Sequence, residues 1–171
     1  MKSLFDSTGS SAVIDPTGIY RYRLERELKS DGSVACVCML NPSTADASID
    51  DPTIGRLKAI LRTRGFCRMI VVNAFAFRAT DPRALRTAVD PVGPENDAHI
   101  LSAAKECDTF IAAWGNHATL RGRDQIVRNM VRRVCPVWAF KITKQDQPYH
   151  PLYLPTDVGL QIWHSKVVAN G

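Results

Sequence analysis

The stretch Val34-Ala35-Cys36-Val37-Cys38-Met39-Leu40-Asn41-Pro42-Ser43-Thr44-Ala45-Asp46 decides how this chain folds. It begins with seven apolar residues and changes at Asn41 to small polar ones, which predicts a buried strand running into a loop. Because the apolar run is continuous, the strand is expected to be covered on both faces, as in a mostly parallel sheet. Such sheets bind ligands beyond the carboxyl ends of their strands. Asn41, Pro42, Ser43 and Thr44 are therefore predicted to lie at the mouth of a site.

Three more apolar runs repeat this arrangement, at Met69–Val72, Thr109–Trp114 and Pro136–Phe140. Apolar residues at helical spacing lie between the runs, so each pair of strands is expected to be joined by a right-handed crossover through a helix. The predicted fold class is α/β. We expect a three-layer α/β/α sandwich with a four-stranded, mainly parallel central sheet, formed by residues 1–171 as a single domain.

The segments outside this core carry weaker patterns. Residues 1–18 are polar and predict an irregular lead-in. Tyr20–Leu28 begins by alternating apolar and charged residues, which predicts an added antiparallel strand at the sheet edge with one face in solvent. Alternatively, Tyr20 and Tyr22 could serve as platforms on which bases stack. Residues 157–168 predict a closing helix.

Composition excludes several classes of protein. With 45% apolar and 23% charged residues the chain is typical of globular proteins and unlike disordered ones. No apolar run approaches the roughly 20 residues of a membrane span, and residues 1–6 lack the apolar core of a signal peptide, so we expect a cytoplasmic protein without a membrane partner. The five cysteines form no CxxC pair, which favours buried thiols; no metal and no cofactor are expected.

The charge balance favours a phosphate-bearing partner. Lys and Arg number 22 against 17 acidic residues, a net charge of +5, and 15 of the basic residues are Arg. The planar guanidinium group of Arg binds phosphate through two hydrogen bonds. The excess is modest, so by itself it does not separate nucleic-acid binding from other functions.

Polar residues follow each predicted parallel strand. Asn41, Asn73, the sequence Gly115-Asn116-His117 and, after a loop, His150 come after the four apolar runs. Each alone has a structural explanation, since Asn is common in turns and His117 suits the start of a helix. Parallel strands end on one edge of the sheet, however. We therefore predict that Asn41, Asn73 and His150 line one pocket.

Four motifs in this order resemble those of the uracil-DNA glycosylase superfamily. They are Met39-Leu40-Asn41-Pro42-Ser43, which is similar to the mismatch-directed thymine/uracil branch, Val71-Val72-Asn73-Ala74 followed by Arg78, Trp114-Gly115-Asn116-His117-Ala118, and His150-Pro151-Leu152-Tyr153-Leu154. The resemblance spans about residues 34–155. The whole chain also resembles an uncharacterised bacterial domain family with the signatures Leu-Asn-Pro-Ser-Thr-Ala-Asp and His-Pro-Leu-Tyr-Leu.

The glycosylase resemblance implies a uracil-DNA glycosylase-like fold. It also implies hydrolysis of the N-glycosidic bond of a damaged or modified base in DNA, single-stranded or flipped out of a duplex. In that family the residue matching Asn41 positions the attacking water, and the one matching Asn73 reads the base edge. The other implied base- or substrate-binding residues are Pro42, Ser43, Thr44, Arg78, Gly115, Asn116, His117, Leu152 and Tyr153.

The chain departs from the family pattern at three places. Ser43 replaces a motif Gly, Leu152 replaces a Ser that holds a phosphate, and residues 46–53 contain no aromatic residue. Two alternatives therefore stay open. One is a non-catalytic protein that binds nucleic acid or modified nucleotides in the same pocket, and the other is a hydrolase of free nucleosides or nucleotides.

Cleavage of an N-glycosidic bond leaves positive charge on the sugar and negative charge on the departing base. His150 can direct an N–H at the base oxygen, and Asn41 can orient water through its amide oxygen. Asp46, five residues after Asn41, is the carboxylate that we expect to act as base or to stabilise the sugar cation. Capping of local structure is an alternative role for Asp46.

Overall fold

The computed structural model describes residues 9–164. Seven strands form one mixed sheet: β1 (Ser10–Ile14), β2 (Arg21–Glu27), β3 (Ser33–Met39), β4 (Phe66–Asn73), β5 (Thr109–Ala112), β6 (Val137–Ala139) and β7 (Gln161–Ile162). Their order is β1-β2-β4-β3-β5-β6-β7. The helices are α1 (Pro52–Arg62), α2 (Asn96–Glu106) and α3 (Arg123–Arg132), and there are 3-10 turns at Pro82–Arg86, Asn116–Gly122 and Pro151–Tyr153. The predicted α/β class is confirmed.

Strand β3 lies in the middle of the sheet. It pairs in parallel with β4 on one side and with β5 on the other, and β5 pairs in parallel with β6. Cys36 and Cys38 pack into a core that contains the inner faces of α2 and α3, whereas Ala35 and Val37 pack into a second core with α1. Helices thus cover both faces of β3, which is why its sequence is continuously apolar. The four predicted parallel strands are confirmed.

The chain runs from β3 to β4 on one side and later adds β5 on the other side of β3. At such a reversal the loops that follow the two strands diverge and leave a crevice at their carboxyl ends. The crevice expected here lies between Met39, at the end of β3, and Ala112, at the end of β5. This feature of the topology positions the candidate site.

The amino-terminal region differs from the prediction. Ser10–Ile14 forms β1, which pairs antiparallel with β2, so the stretch 1–18 is not wholly irregular and β2 is not the edge strand. The sequence of this strand, SSAVI, does not alternate between apolar and polar residues, and pairing with β2 supplies what the sequence does not show. Residues 1–8 lie outside the described part of the chain.

Except for Glu27, the charged residues of β2 are buried, contrary to the sequence-based expectation. Arg23 Nε lies 2.6 Å from Glu25 and its Nη2 lies 2.7 Å from Glu106. Arg68, on β4, contacts Glu25 at 3.1 Å and Glu106 at 2.6 Å, which closes a four-membered ring of charges. Helix α2 covers this part of β2 with a complementary carboxylate, so the alternating pattern correctly indicates a strand but not a wet face.

The predicted closing helix is also wrong where the structure describes it. Gln161–Ile162 forms β7, which pairs antiparallel with β6, and Trp163 is buried against Trp114 at a ring-centroid distance of 5.6 Å. The backbone N–H and C=O groups at the edge of β6 need hydrogen-bond partners, which favours a strand at residues 161–162. Residues 165–168 of that prediction lie outside the described residues. No helix within residues 9–164 is long and apolar enough to cross a membrane.

The ring of charges on β2 predicts a large cost for removing one member. Glu25→Gln leaves Arg23 and Arg68 to share Glu106, a partly exposed carboxylate, so we expect the free energy of unfolding to fall by about 2 kcal/mol. Urea denaturation measures this free energy of unfolding. Glu27→Gln, at the exposed end of the same strand, is the matched control. Equal losses in the two variants would contradict the prediction.

Candidate functional site

A cavity of about 730 Å³ opens at the carboxyl ends of β3 and β5, where the strand order reverses. Its wall comes from the ends of these two strands, the first residues of α1, the loop around Thr80, and the segment from His150 to Tyr153. The volume lies within the range of pockets that hold small ligands. This cavity is the candidate site.

Asn41 lies at the cavity wall directly after β3. Its Nδ2 donates hydrogen bonds to the backbone oxygen of Pro42 at 3.1 Å and of Ala79 at 2.9 Å. Carbonyl oxygens require donors, so the amide nitrogen must face them. The amide oxygen is therefore the polar atom that Asn41 can offer to water or to a ligand, and two hydrogen bonds fix its orientation.

His150 lines the same cavity and comes just before the turn Pro151–Tyr153. The backbone N–H of Leu152 donates to its Nδ1 at 3.4 Å, a long contact that favours the neutral tautomer with the proton on Nε2. Burial lowers the pKa of His150, and the negative charge of Asp51 opposes that shift only partly. A neutral imidazole that donates through Nε2–H is the form expected at neutral pH.

Gly115 allows the third-strand motif to pass close to His150. Its φ and ψ angles, 72° and −167°, belong to a region that essentially only glycine adopts, and a Cβ there would lie 3.7 Å from His150 Cβ. Its N–H donates to the oxygen of Pro148 at 2.8 Å, which ties the end of β5 to the His150 loop. The requirement for Gly at this position is thus a matter of backbone conformation.

Asp51 supplies a carboxylate that the sequence analysis did not select. It is the N-cap of α1, where Oδ1 accepts the N–H of Ile54 at 2.9 Å, and it lines the cavity. Its charge acts on both His150 and Arg21. The signal was available, because an Asp followed by Pro52 marks a helix start, and the amino end of the helix after a parallel strand reaches the same sheet edge.

Asp46, which the sequence analysis favoured, has the local role that was its alternative. Its Oδ1 accepts the backbone N–H of Ser48 at 2.9 Å and of Ile49 at 2.8 Å. These bonds lower its pKa, and the side chain does not belong to the cavity lining. Within the described residues, Asp51 is the carboxylate that lines the cavity.

Most of the other predicted residues meet at the cavity. Tyr153 stands out because 90% of its surface is exposed, which places a free aromatic ring at the rim. Asn116 accepts a hydrogen bond from the Thr143 hydroxyl at 2.8 Å. The predicted residues that line the cavity are Asn41, Ser43, Thr44, Gly115, Asn116, His117, His150, Leu152 and Tyr153.

Asn73 is not brought to the cavity with them. It is fully buried, pairs in register with Met39, and neither polar atom of its side chain has a hydrogen-bond partner within residues 9–164. Its side chain is enclosed at the end of β4, whereas Ala79, Thr80 and Pro82 of the loop that follows β4 belong to the cavity lining. Parallel strands share an edge, but a residue at that edge lines the cavity only where neighbouring segments leave its side chain uncovered.

Pro42 and Arg78 also lie outside the cavity lining. The oxygen of Pro42 accepts the N–H of Ala79 at 2.9 Å, and Arg78 Nη1 lies 3.3 Å from the oxygen of Gly18. Both residues therefore hold neighbouring loops in place. Conversely, Arg21 lines the cavity although its charged, alternating strand gave no sign of a site.

The sequence model of a family described as "Protein of unknown function (DUF1643)" matches residues 21–152. The chain belongs to this family. The match confirms the resemblance to an uncharacterised domain family. The matched region of this DUF1643 chain begins at Arg21 and ends at Leu152, and both residues line the cavity. Strands β1 and β7 lie outside the matched region. No curated protein and no solved structure matches the chain. The resemblance to the uracil-DNA glycosylase superfamily stays a prediction.

The lowered pKa of His150 predicts a pH dependence of stability. Because the folded state holds the proton less tightly than the unfolded chain, stability is lost as the pH falls below the ordinary His pKa of about 6.5 and towards the folded value. We expect His150→Gln to lose less stability than the natural protein between pH 7.5 and 5.5, measured by urea midpoints. His164→Gln, at an exposed position, should behave like the natural protein. An unchanged pH dependence in His150→Gln would contradict the assignment.

Proposed function

We propose that this DUF1643 protein has a uracil-DNA glycosylase-like α/β/α fold and hydrolyses the N-glycosidic bond of a damaged or modified base. The base would enter the cavity from a single strand or after flipping out of a duplex. One observation carries the proposal: Asn41, Asp51 and His150 line the same cavity at the reversal of strand order. They supply a fixed amide oxygen, a carboxylate and a neutral imidazole.

These three groups match the needs of the reaction. As the bond to the base breaks, the sugar gains positive charge, which the carboxylate of Asp51 stabilises. The amide oxygen of Asn41 orients a water molecule for attack on the sugar carbon, and Asp51 accepts the proton that this water loses. The Nε2–H of His150 donates to the oxygen of the departing base, so that negative charge develops against a hydrogen-bond donor.

The rim of the cavity supports binding of a base. The exposed ring of Tyr153 offers a stacking surface, and stacking on aromatic side chains is worth about 1–3 kcal/mol per base. It supplies the aromatic group that residues 46–53 lack. Leu152, beside it in the lining, adds apolar contact where other branches of the superfamily carry Ser.

A second candidate function is hydrolysis of free nucleosides or nucleotides by the same groups. The observation that favours it is the size of the cavity, about 730 Å³, which suits a single nucleotide as well as a flipped base. The two candidates differ in substrate and share their chemistry. Activity on monomers together with inactivity on oligonucleotides would favour the second.

The reaction is tested by release of free base from oligonucleotides that carry uracil, hypoxanthine, xanthine or hydroxymethylated pyrimidines. We expect Asp51→Asn to lower the rate by about 100-fold or more, because an amide can neither accept the proton nor stabilise the cation. Chromatography of the released base measures the rate. Asp46→Asn is the matched control, since it removes a charge outside the cavity and keeps the oxygen that accepts the Ser48 and Ile49 N–H groups.

Two results would contradict the proposal. The first is no base release from these oligonucleotides, nor from the matching monomers, when folded protein is in excess over substrate. The second is an Asp51→Asn variant as active as Asp46→Asn, which would remove the carboxylate from the mechanism. Saturable binding without turnover would instead identify a non-catalytic binding protein.

A further inference from the structure

Four arginine side chains are buried in the described part of the chain, and three of them have a carboxylate partner. Arg23 contacts Glu25 and Glu106, Arg26 contacts Asp50 at 2.8 Å, and Arg123 contacts Asp97. Pairing of this kind is the rule, because an isolated charge in the interior of a protein is costly. Arg21 departs from it.

Arg21 is 1% exposed and forms no salt bridge with any residue in the range 9–164. Its Nη1 donates to the backbone oxygen of Ala45 at 2.8 Å, and its Nε has no hydrogen-bond partner. Burial lowers the pKa of Arg21 to about 10, with Asp51 opposing the shift and Arg78 adding to it. The guanidinium group therefore stays charged at neutral pH, without a partner that neutralises it.

Arg21 is almost completely buried, yet it belongs to the lining of the cavity. The hydroxyl-bearing residues Ser43, Thr44, Thr53 and Thr80 belong to the same lining. Helix α1 begins at the same wall with Pro52 and Thr53, and the carboxylate of its N-cap, Asp51, lies at the positive end of the helix dipole. The cation, the hydroxyl donors and the helix start come from separate segments of the chain and converge on one space.

This set of donors suits a tetrahedral anion. A phosphate group has several oxygens, so it can accept two parallel hydrogen bonds from a guanidinium fork and still accept others from hydroxyls and backbone N–H groups on its remaining sides. A planar carboxylate has two oxygens, so it offers fewer acceptor positions and presents them in one plane. The Nε–H of Arg21, one of the donors of its fork, is buried and has no hydrogen-bond partner within residues 9–164.

We infer that Arg21 is the binding residue for a phosphate group of the ligand inside this cavity, so that the ligand is a nucleotide and not a free base or an unphosphorylated nucleoside. That the phosphate belongs to a nucleotide rests on the proposed function, whereas the phosphate site rests on Arg21 and its surroundings. The phosphate fills the position that a carboxylate fills beside Arg23, Arg26 and Arg123.

Binding is measured by thermal denaturation of the full chain, at constant ionic strength set with chloride. The ligands are inorganic phosphate, nucleoside 5′-monophosphates and the matching nucleosides. Phosphate and the nucleotides should raise the Tm of the natural protein, because a ligand that binds only the folded state stabilises it. The nucleosides should raise it less.

Three variants distinguish phosphate binding at Arg21 from a general effect of positive charge on the protein. Arg21→Gln should weaken binding of phosphate and of the nucleotides about tenfold or more, as expected when charge-assisted hydrogen bonds are lost. Arg21→Lys, which keeps the charge without the planar fork, should fall between Arg21→Gln and the natural protein. Arg86→Gln is the matched control, since Arg86 is exposed and lies outside the cavity lining. Its binding should equal that of the natural protein.

A further measurement uses the natural protein alone and so does not depend on the folding of a variant. On titration with phosphate, the Nε–H resonance of Arg21 should shift in a nitrogen–proton NMR spectrum, since this group gains a partner. An unshifted Nε–H resonance would overturn the inference. So would an Arg21→Gln variant that binds phosphate as the natural protein does, or nucleosides that bind as tightly as their monophosphates.

The outcome is distinguishable from that of the proposed reaction. Phosphate binding that depends on Arg21, in a protein that releases no base, supports the phosphate site and contradicts only the hydrolysis. Hydrolysis of nucleosides and nucleotides at equal rates, unchanged by Arg21→Gln, supports the reaction and overturns the phosphate site.

Discussion

Burial of β3 on both faces is the constraint on which the rest of this structure depends. A central parallel strand needs neighbours on both sides and helices above and below, and β3 has β4 and β5 beside it, α1 against one face, and α2 and α3 against the other. In this arrangement the neighbouring strands supply hydrogen-bond partners for the backbone of β3, and the helices cover its apolar side chains. The polar residues that follow Leu40 must then emerge at the carboxyl edge of the sheet.

The position of the site follows from the order in which strands were added to β3. Since β4 is on one side and β5 on the other, the loops after β3 and β5 separate and enclose the cavity. The loop after β4 adds Ala79, Thr80 and Pro82 to the lining, while Asn73, at the end of β4 itself, is fully buried. Asn41 and Gly115 therefore line the cavity and Asn73 does not. The helix that follows β3 brings Asp51 to the same edge, and a hydrogen bond from Gly115 to Pro148 brings the His150 loop over it.

Buried charge is handled in two ways in this molecule. The ring that joins β2, β4 and α2 pairs each cation with carboxylates, so its charges cancel within the fold. Arg21, on the same β2 strand, lacks a carboxylate partner within residues 9–164, and it is the one of the four buried arginines that lines the cavity. A fold selected for stability alone would gain by replacing an unpaired buried charge with an apolar side chain. Its retention at a cavity wall favours a role in binding over a role in folding.

The sequence by itself determined the α/β class, the four parallel strands and the edge at which polar groups gather, because the periodicity of apolar residues and the caps of helices are local signals. It did not determine β1, β7 or the burial of the charges on β2, since short strands and ion pairs depend on partners far away in the sequence. Only the tertiary structure decided that Asp51 and not Asp46 lines the cavity. The same holds for the presence of Arg21 in the cavity lining and the absence of Asn73 from it. The reason is physical: sequence spacing tells which strand a residue follows, but only the packing of strands, loops and helices decides which of those side chains reach the same space.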